Sequence, residues 1–168
     1  QMLRVQCDVV RLPNGQQTTR EYICHPGAVA IFAIDAQDCV VLERQFRYPI
    51  RSTIIEIPAG KRDPGEPLLE CAKRELLEET GYRANNWTRM TTVHNALGYA
   101  DEFIEIFIAQ DLHLEKQKLD DEEFLEVLHV PFDEALAMVQ DGRITDVKTQ
   151  LALLWWKNFG VGAGSATR

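Results

Sequence analysis

The sequence predicts an α+β fold in which a mixed β-sheet lies between helices. Three observations carry this. Apolar, β-branched runs of strand length fill the first third of the chain, residues 66–80 switch to helical period, and the overall order is strands, helix, strands, then two helices. Residues 3–12 are rich in Val and Leu, and Asn14-Gly15 signals a tight turn, so 17–24 returns as an antiparallel strand. His25-Pro26-Gly27 breaks that strand. Residues 28–34 and 39–46 read as strands joined in a second hairpin through Asp35-Ala36-Gln37-Asp38. A short strand, 54–57, stops at Pro58. In 66–80, Leu68, Leu69, Ala72, Leu76 and Leu77 recur at helical spacing, and Gly81 is a helix stop. Strands follow at 88–93 and 103–109, then a charged loop at 114–123 and a strand at 124–130 ending at Pro131. A helix over 132–140 stops near Gly142. Thr145 or Asp146 caps a last helix through Phe159, on which Trp155 and Trp156 are expected to pack into the core. One domain over 1–160 is expected, with a flexible tail at 161–168.

Bulk properties exclude several functions. The chain has 168 residues, a hydrophobic fraction of 45% and a net charge of −8, with no Lys/Arg-rich run. Neutralising a long nucleic acid is therefore not expected, whereas a small phosphate ligand remains open through a bridging metal ion. Cys7, Cys24, Cys39 and Cys71 are far apart, with no CxxC or zinc spacing, which fits a reducing compartment. No signal peptide or membrane-spanning run is visible, so the expected location is cytoplasmic, without a membrane partner. His25, His94, His113 and His129 form no local ligand pair.

Glu75, Glu78 and Glu79 carry the chemistry. At about 100° per residue, Glu78 and Glu79 fall on either side of Glu75, within an arc of about 100°. Like charges so placed weaken a helix. A solvated acidic face tolerates this, and a bound Mg²⁺ or Mn²⁺ removes it, because hard cations take carboxylate oxygens. Arg74 is one turn from both Glu70 and Glu78 and can fix one of them. The loop ahead favours the ion. Gly60 permits close backbone approach, and Asp63-Pro64-Gly65 makes a turn. The Ala59 carbonyl can then face the same ion as the helix carboxylates.

Gly60, Glu66, Arg74, Glu75, Leu76, Glu78, Glu79 and Gly81 resemble, in type and spacing, the Nudix box: Gly, five residues, Glu, seven residues, Arg-Glu-aliphatic-any-Glu-Glu-any-Gly-aliphatic. Tyr82 stands where the last aliphatic residue is usual. The resemblance implies a Nudix-type α/β/α sandwich and metal-assisted attack of water on a nucleoside diphosphate linked to another group. It makes Glu75 and Glu79 principal metal ligands with Glu78 joining them, Arg74 an orienting partner, and Glu66 a support for the loop–helix geometry or for a further metal. Such chemistry needs charge neutralisation more than covalent steps.

The flanks look like ADP-ribose pyrophosphatases. The matching segments include Thr19-Arg20-Glu21-Tyr22, His25-Pro26-Gly27-Ala28-Val29, Glu43-Arg44-Gln45-Phe46-Arg47-Tyr48-Pro49 and Glu56-Ile57-Pro58-Ala59-Gly60. That likeness implies a homodimer formed through strands 3–24, with an active site shared between subunits and a nucleoside diphosphate sugar as the small-molecule substrate. Arg47 would contact the diphosphate or its ribose, Arg20 would lie near the ligand, and Glu56 would take a hydroxyl or base contact. Phe46 and Tyr22 read as core or dimer contacts more than as base stackers. The general base is expected in Asp120-Asp121-Glu122-Glu123, at Glu122 with Glu123 beside it, or else at Glu78 on the box helix. Leu97 stands where such enzymes often carry proline in a Ser-Pro-Gly segment. GDP-mannose, flavin adenine dinucleotide and dinucleoside polyphosphates therefore stay open as substrates, as does a non-catalytic nucleotide-sugar sensor.

Overall fold

The computed structural model describes residues 4–115 and 124–160. Strands β1 (Arg4–Arg11) and β2 (Gln17–Cys24) form the expected antiparallel hairpin. Asn14-Gly15 closes a wider loop than a two-residue turn. Leu12 N donates to Gln16 O at 2.8 Å and Gly15 N to Leu12 O at 2.9 Å, and pairing begins at Arg11 opposite Gln17. Gly15 sits at φ 85°, a left-handed conformation open to glycine without strain. Ile23 anchors the hairpin, donating its N–H to Tyr99 O and accepting from Asp101 N.

The remaining strands form two sheets. In the first, β3 (Ala28–Ala33) lies between β6 (Ala59–Lys61) and β8 (Ile104–Leu114), and β8 pairs with β7 (Tyr82–Val93). The β3–β8 pair is parallel and the others antiparallel, so the sheet is mixed. In the second, β4 (Cys39–Arg47) lies between β5 (Ser52–Glu56) and β9 (Leu125–Pro131). The expected second hairpin is thus corrected. Strands β3 and β4 separate into different sheets and keep only the bridge Ile34–Val40. Both hydrogen-bonding edges of β3 are already taken, by β6 and β8, which leaves β4 no edge to join. The Asp35 carboxylate organises the turn between them, accepting from Gln37 N and Cys39 N.

Strand β3 is buried on both faces, as a central strand covered on both sides should be. Ala28, Ala30 and Phe32 pack with Ala135, Met138, Ala152 and Leu153 of α2 (Phe132–Gln140) and α3 (Val147–Trp155). Val29, Ile31 and Ala33 pack with Cys71, Ala72 and Leu76 around α1 (Leu68–Glu75). One helix on one face and two on the other make the expected sandwich. Trp155 and Trp156 pack against the first cluster, as expected. Asp146, rather than Thr145, caps α3, its carboxylate accepting from Thr149 N at 2.9 Å.

The box helix departs from a uniform α-helix. It starts at Leu68, leaving Glu66 in the loop, and widens after Glu75 into a π-type turn over Leu76–Thr80. Gly81 then ends it at φ 76°. Such widened turns occur often at functional sites because they re-aim the side chains that follow.

Candidate active site

The site starts where β6 passes beneath α1. A Cβ on Gly60 would overlap the Glu75 carboxyl group, so glycine is required there for closeness and not for an unusual backbone angle. Above it, Arg74 gathers the acids. Its Nε and Nη2 hold Glu66 in a fork at 2.9 and 3.0 Å, and its Nη1 reaches Glu75 Oε1 at 2.9 Å and Glu78 Oε2 at 3.0 Å. Nη2 also donates to Lys61 O at 3.2 Å, tying the helix to β6. Glu66 in turn accepts from Asp63 N, closing the loop. The Arg74 fork is the main cause that drops the Glu66 carboxyl to about 2. That same hydrogen bond raises the Arg74 guanidinium well above its ordinary value. Of the two expected acidic partners of Arg74, Glu78 is the one found. Glu70 pairs instead with Lys73 at 2.8 Å. The contacts to Asp63 N and Arg74 are those the supporting role expected of Glu66 requires.

The π-type turn separates the two following glutamates. Glu78 stays partly exposed beside Arg74, whereas Glu79 is buried at 5% exposure and accepts from Ala59 N at 3.0 Å. Glu75, Glu78 and Glu79 still line one cavity of ≈ 390 Å³, with Arg47, Ala59, Gly60, Lys61, Asp63 and Arg74. The sequence thus brings the three carboxylates and Ala59 together. Among the described residues no three His, Cys, Asp or Glu side chains close into a preformed metal cage. An open set suits Mg²⁺ or Mn²⁺, because Mg²⁺ takes one or two carboxylates, keeps several waters and completes its shell with substrate phosphate. By the chemistry of the donor set, the residues present fit the group.

Arg47 lines the same cavity, and its surroundings were not legible in advance. Its Nε donates to Glu56 Oε1 at 2.7 Å, while Glu56 Oε2 accepts from Lys148 Nζ at 2.5 Å. Lys148 also reaches Asp146 Oδ1 at 2.9 Å. Asp146 Oδ2 accepts from the Thr149 backbone N–H and hydroxyl, and Thr149 Oγ1 accepts from Ile57 N at 2.8 Å. Burial acts to lower the Arg47 guanidinium, but the Glu56 hydrogen bond and the charges of Glu56, Glu79 and Asp146 outweigh it, and the net shift is upward. For Glu56, burial acts upward and is outweighed by the Arg47 hydrogen bond and the Lys148 charge, so it stays ionised below its ordinary value.

Glu56 is thereby placed behind Arg47. It is 3% exposed, both its oxygens are engaged by protein cations, and it lines none of the three cavities described. Beside the direct ligand contact expected of it, the structure shows Glu56 holding Arg47. Arg20 lies on the exposed hairpin, donating to Thr19 O, and the chain does not bring it to the carboxylates. Tyr22 donates its hydroxyl to Asp8, and Phe46 is exposed at 56%. Glu122 and Glu123 lie outside the described residues.

Two further cavities continue the acidic one. A space of ≈ 240 Å³ shares Arg47, Ala59, Gly60 and Lys61 with it and adds Lys148, His25, Asn95 and Glu102. Another of ≈ 290 Å³, mostly apolar, adds Ile23, Pro26, Ala96, Tyr99 and Ala100. Lys61 lines all three. His25 sits 3.5 Å from Glu102 where the second and third meet. Sequence reasoning missed Lys61, Lys148 and Asp146. Lys61 had one available signal, a cation directly after the box glycine. Lys148 had a weaker one, a lysine in the first turn of an otherwise uncharged helix. Segment 95–102, where Leu97 breaks the related pattern, walls these two cavities, although Leu97 itself is 79% exposed.

This arrangement of box helix, glycine-backed carboxylates and sandwich defines the class. Residues 25–149 match the NUDIX domain, and the chain belongs to the Nudix hydrolase family. It is 43% identical over 146 residues to an ADP-ribose pyrophosphatase of Bacillus subtilis (strain 168), covering 86% of this chain and 79% of that protein. It is 40% identical over 154 residues to a methanol dehydrogenase activator of Bacillus methanolicus, covering 90% and 83%. A solved structure of an ADP compounds hydrolase superposes with a TM-score of 0.85 at 27% identity, covering 98% of this chain and 90% of that one.

Proposed function

We propose that this chain is a divalent-metal-dependent pyrophosphohydrolase that cleaves the diphosphate bond of ADP-ribose or a related nucleoside diphosphate sugar, releasing a nucleoside monophosphate and a sugar phosphate. The observation that carries it is the single cavity lined by Glu75, Glu78 and Glu79 together with Arg47. Acids and a guanidinium around one space suit a diphosphate that arrives with Mg²⁺ or Mn²⁺. Glu75, Glu79 and Glu78, with the Ala59 carbonyl, would hold the ion. When bound, it neutralises phosphate charge and lowers the pKa of a coordinated water.

The chain's own residues do the rest. Arg74 orients Glu75 and Glu78, and Arg47 takes a diphosphate oxygen. Glu122 removes the proton from the attacking water, with Glu123 or Glu78 as alternatives. The water oxygen bonds to phosphorus, and the bridging P–O bond breaks. Its electron pair leaves on the other phosphate, which takes up a proton. The sugar extends into the two continuing cavities, walled by segment 95–102. Hairpin β1–β2 exposes Val5 at 68% and Val9 at 70%, consistent with a homodimer that brings Arg20 to the partner's site. The protein acts in the cytoplasm on a small molecule, not on nucleic acid. Because segment 95–102 departs from the related pattern, GDP-mannose, flavin adenine dinucleotide and dinucleoside polyphosphates form the second tier of substrates.

Incubation with ADP-ribose and Mg²⁺ should give AMP and ribose 5-phosphate. Glu79→Gln should cut the rate by more than about a hundredfold with the fold retained, since even outer partners of a metal cost roughly 10- to 100-fold. No monophosphate from any nucleoside diphosphate derivative, or full turnover by Glu79→Gln, would overturn the assignment.

A further inference from the structure

We propose that Lys148, a residue outside the box, is a positioning and charge-balancing residue that keeps Arg47 free to bind the substrate diphosphate. The inference rests on the diphosphatase reading above. Lys148 is 8% exposed, yet it lines the cavity that continues from the carboxylates. It and Arg47 grip opposite oxygens of the same buried Glu56, at 2.5 and 2.7 Å. The result is a run of alternating charges, Asp146–Lys148–Glu56–Arg47, two cations and two anions with a net charge of zero.

Without Lys148 that run becomes net negative beside the place where an anionic diphosphate must sit. Glu43, buried and directly opposite Glu56 in the β4–β5 ladder, puts a further carboxyl group next to it. A guanidinium facing a buried carboxylate with a vacant oxygen forks onto both oxygens, because bidentate pairing is its strongest arrangement. Arg47 would then spend a second donor on Glu56 and offer fewer to the cavity. With Lys148 present, one Glu56 oxygen is occupied and Arg47 is held through Nε, and among the described residues its two terminal nitrogens make no hydrogen bond and remain for phosphate. The purpose of a lysine in the first turn of α3 is therefore to neutralise Glu56 from behind, while Asp146 fixes that lysine and caps the helix at once.

The test measures metal-free binding of ADP-ribose by calorimetry, together with Mg²⁺-dependent turnover, on the full chain. Lys148→Met should weaken binding by about tenfold or more, the size of a lost charged hydrogen bond. It should raise KM far more than it lowers kcat. Lys148→Arg, which keeps the charge, should bind close to wild type. The deciding variant is Lys148→Met combined with Glu56→Gln, which restores neutrality and leaves no buried carboxylate for Arg47 to fork onto. It should bind ADP-ribose more tightly than Lys148→Met alone. It also covers the case in which Lys148→Met fails to fold, since Asp146 and Arg47 stay balanced in charge; it should then bind ADP-ribose within about tenfold of wild type, the remaining loss being that of the Glu56 hold on Arg47. A lysine that merely supports the fold predicts the reverse, with the double variant as weak as the single or weaker. That result, or unaltered binding in a folded Lys148→Met, overturns the inference alone when the wild type hydrolyses ADP-ribose. A wild type that neither binds nor hydrolyses any nucleoside diphosphate derivative overturns the inference and the diphosphatase reading together.

Discussion

Two arginines organise the two walls of this site, and they are assembled in opposite ways. Arg74 draws Glu66, Glu75 and Glu78 from one short stretch of chain, all within a loop and the helix it enters. Arg47 draws Glu56 from the neighbouring strand. Glu56 draws Lys148 from 92 residues away. The Arg74 cluster is set by local sequence: once the helix forms, Glu75 is the next residue, Glu78 is a turn away, and Glu66 folds back from the loop. The Arg47 cluster exists only after β5 and α3 pack, so it depends on the whole sandwich. On the proposed function, the first would hold the acids for a metal and the second the cation for phosphate. A local defect should therefore damage the metal side without loosening the phosphate side, and a packing defect near α3 should do the reverse.

The sharpest way to break the comparison is Gly60→Ala. The added methyl would overlap the Glu75 carboxyl, which has Arg74 on its other side. Either the carboxylate or β6 must move. Displacing a reacting group by about 1 Å costs on the order of a hundredfold in rate, and overpacking costs about 1–3 kcal/mol in stability. Steady-state kinetics should show kcat reduced about a hundredfold while metal-free ADP-ribose binding, which the proposal assigns to Arg47, changes little. If binding falls as much as kcat, the two walls are not independent.

The contrast also explains what was readable from the sequence. The fold class was legible because β3 and β4 are apolar, β-branched runs, α1 carries a helical period, and breakers bound the elements. The carboxylates were legible because a helix fixes neighbours by counting. Counting failed at three points for physical reasons. Residues 28–34 and 39–46 look like a hairpin, but strand edges are a tertiary resource, and β6 and β8 had taken both of β3's. The π-type turn changes the residue period after Glu75 and sends Glu79 into the interior toward Ala59 N, which no apolar pattern announces. Glu56 alternates on a strand and reads as a free acid until Lys148 is seen behind it. Arg74→Lys tests the readable half. Lysine keeps the charge but not the planar fork that spans Glu66 and Glu75 at once. A loss of about tenfold in kcat, in the range seen for outer partners of metal ligands, is expected with KM little changed. Wild-type kinetics would mean the fork is dispensable.

The smallest expected effect is on stability, and its sign follows from Glu66. In the folded chain the Arg74 fork, opposed by burial and aided by Asp63 N, holds this carboxyl at about 2, against 4.5 as its ordinary value. A depressed folded value means that the unfolded chain binds the proton first as pH falls. The stabilisation from Glu66 is then fully present above about pH 4.5 and is lost as pH falls through about 2. Glu66→Gln removes this term while keeping the size of the side chain and one acceptor for Arg74. Thermal melts of the two proteins should differ most at about pH 6, in favour of the wild type, and converge as pH falls from about 4.5 toward 2. The Arg47 wall predicts a different pattern. Glu56 is also depressed, but its carboxyl has Lys148 as well as Arg47 to hold its charge, so Glu66→Gln should leave the acid-dependence of phosphate binding in place while flattening that of stability. A gap between the melting curves that is the same at about pH 6 and about pH 2.5 would show that Glu66 supports the loop by shape alone, and the Arg74 cluster would lose its claim to be held together by charge.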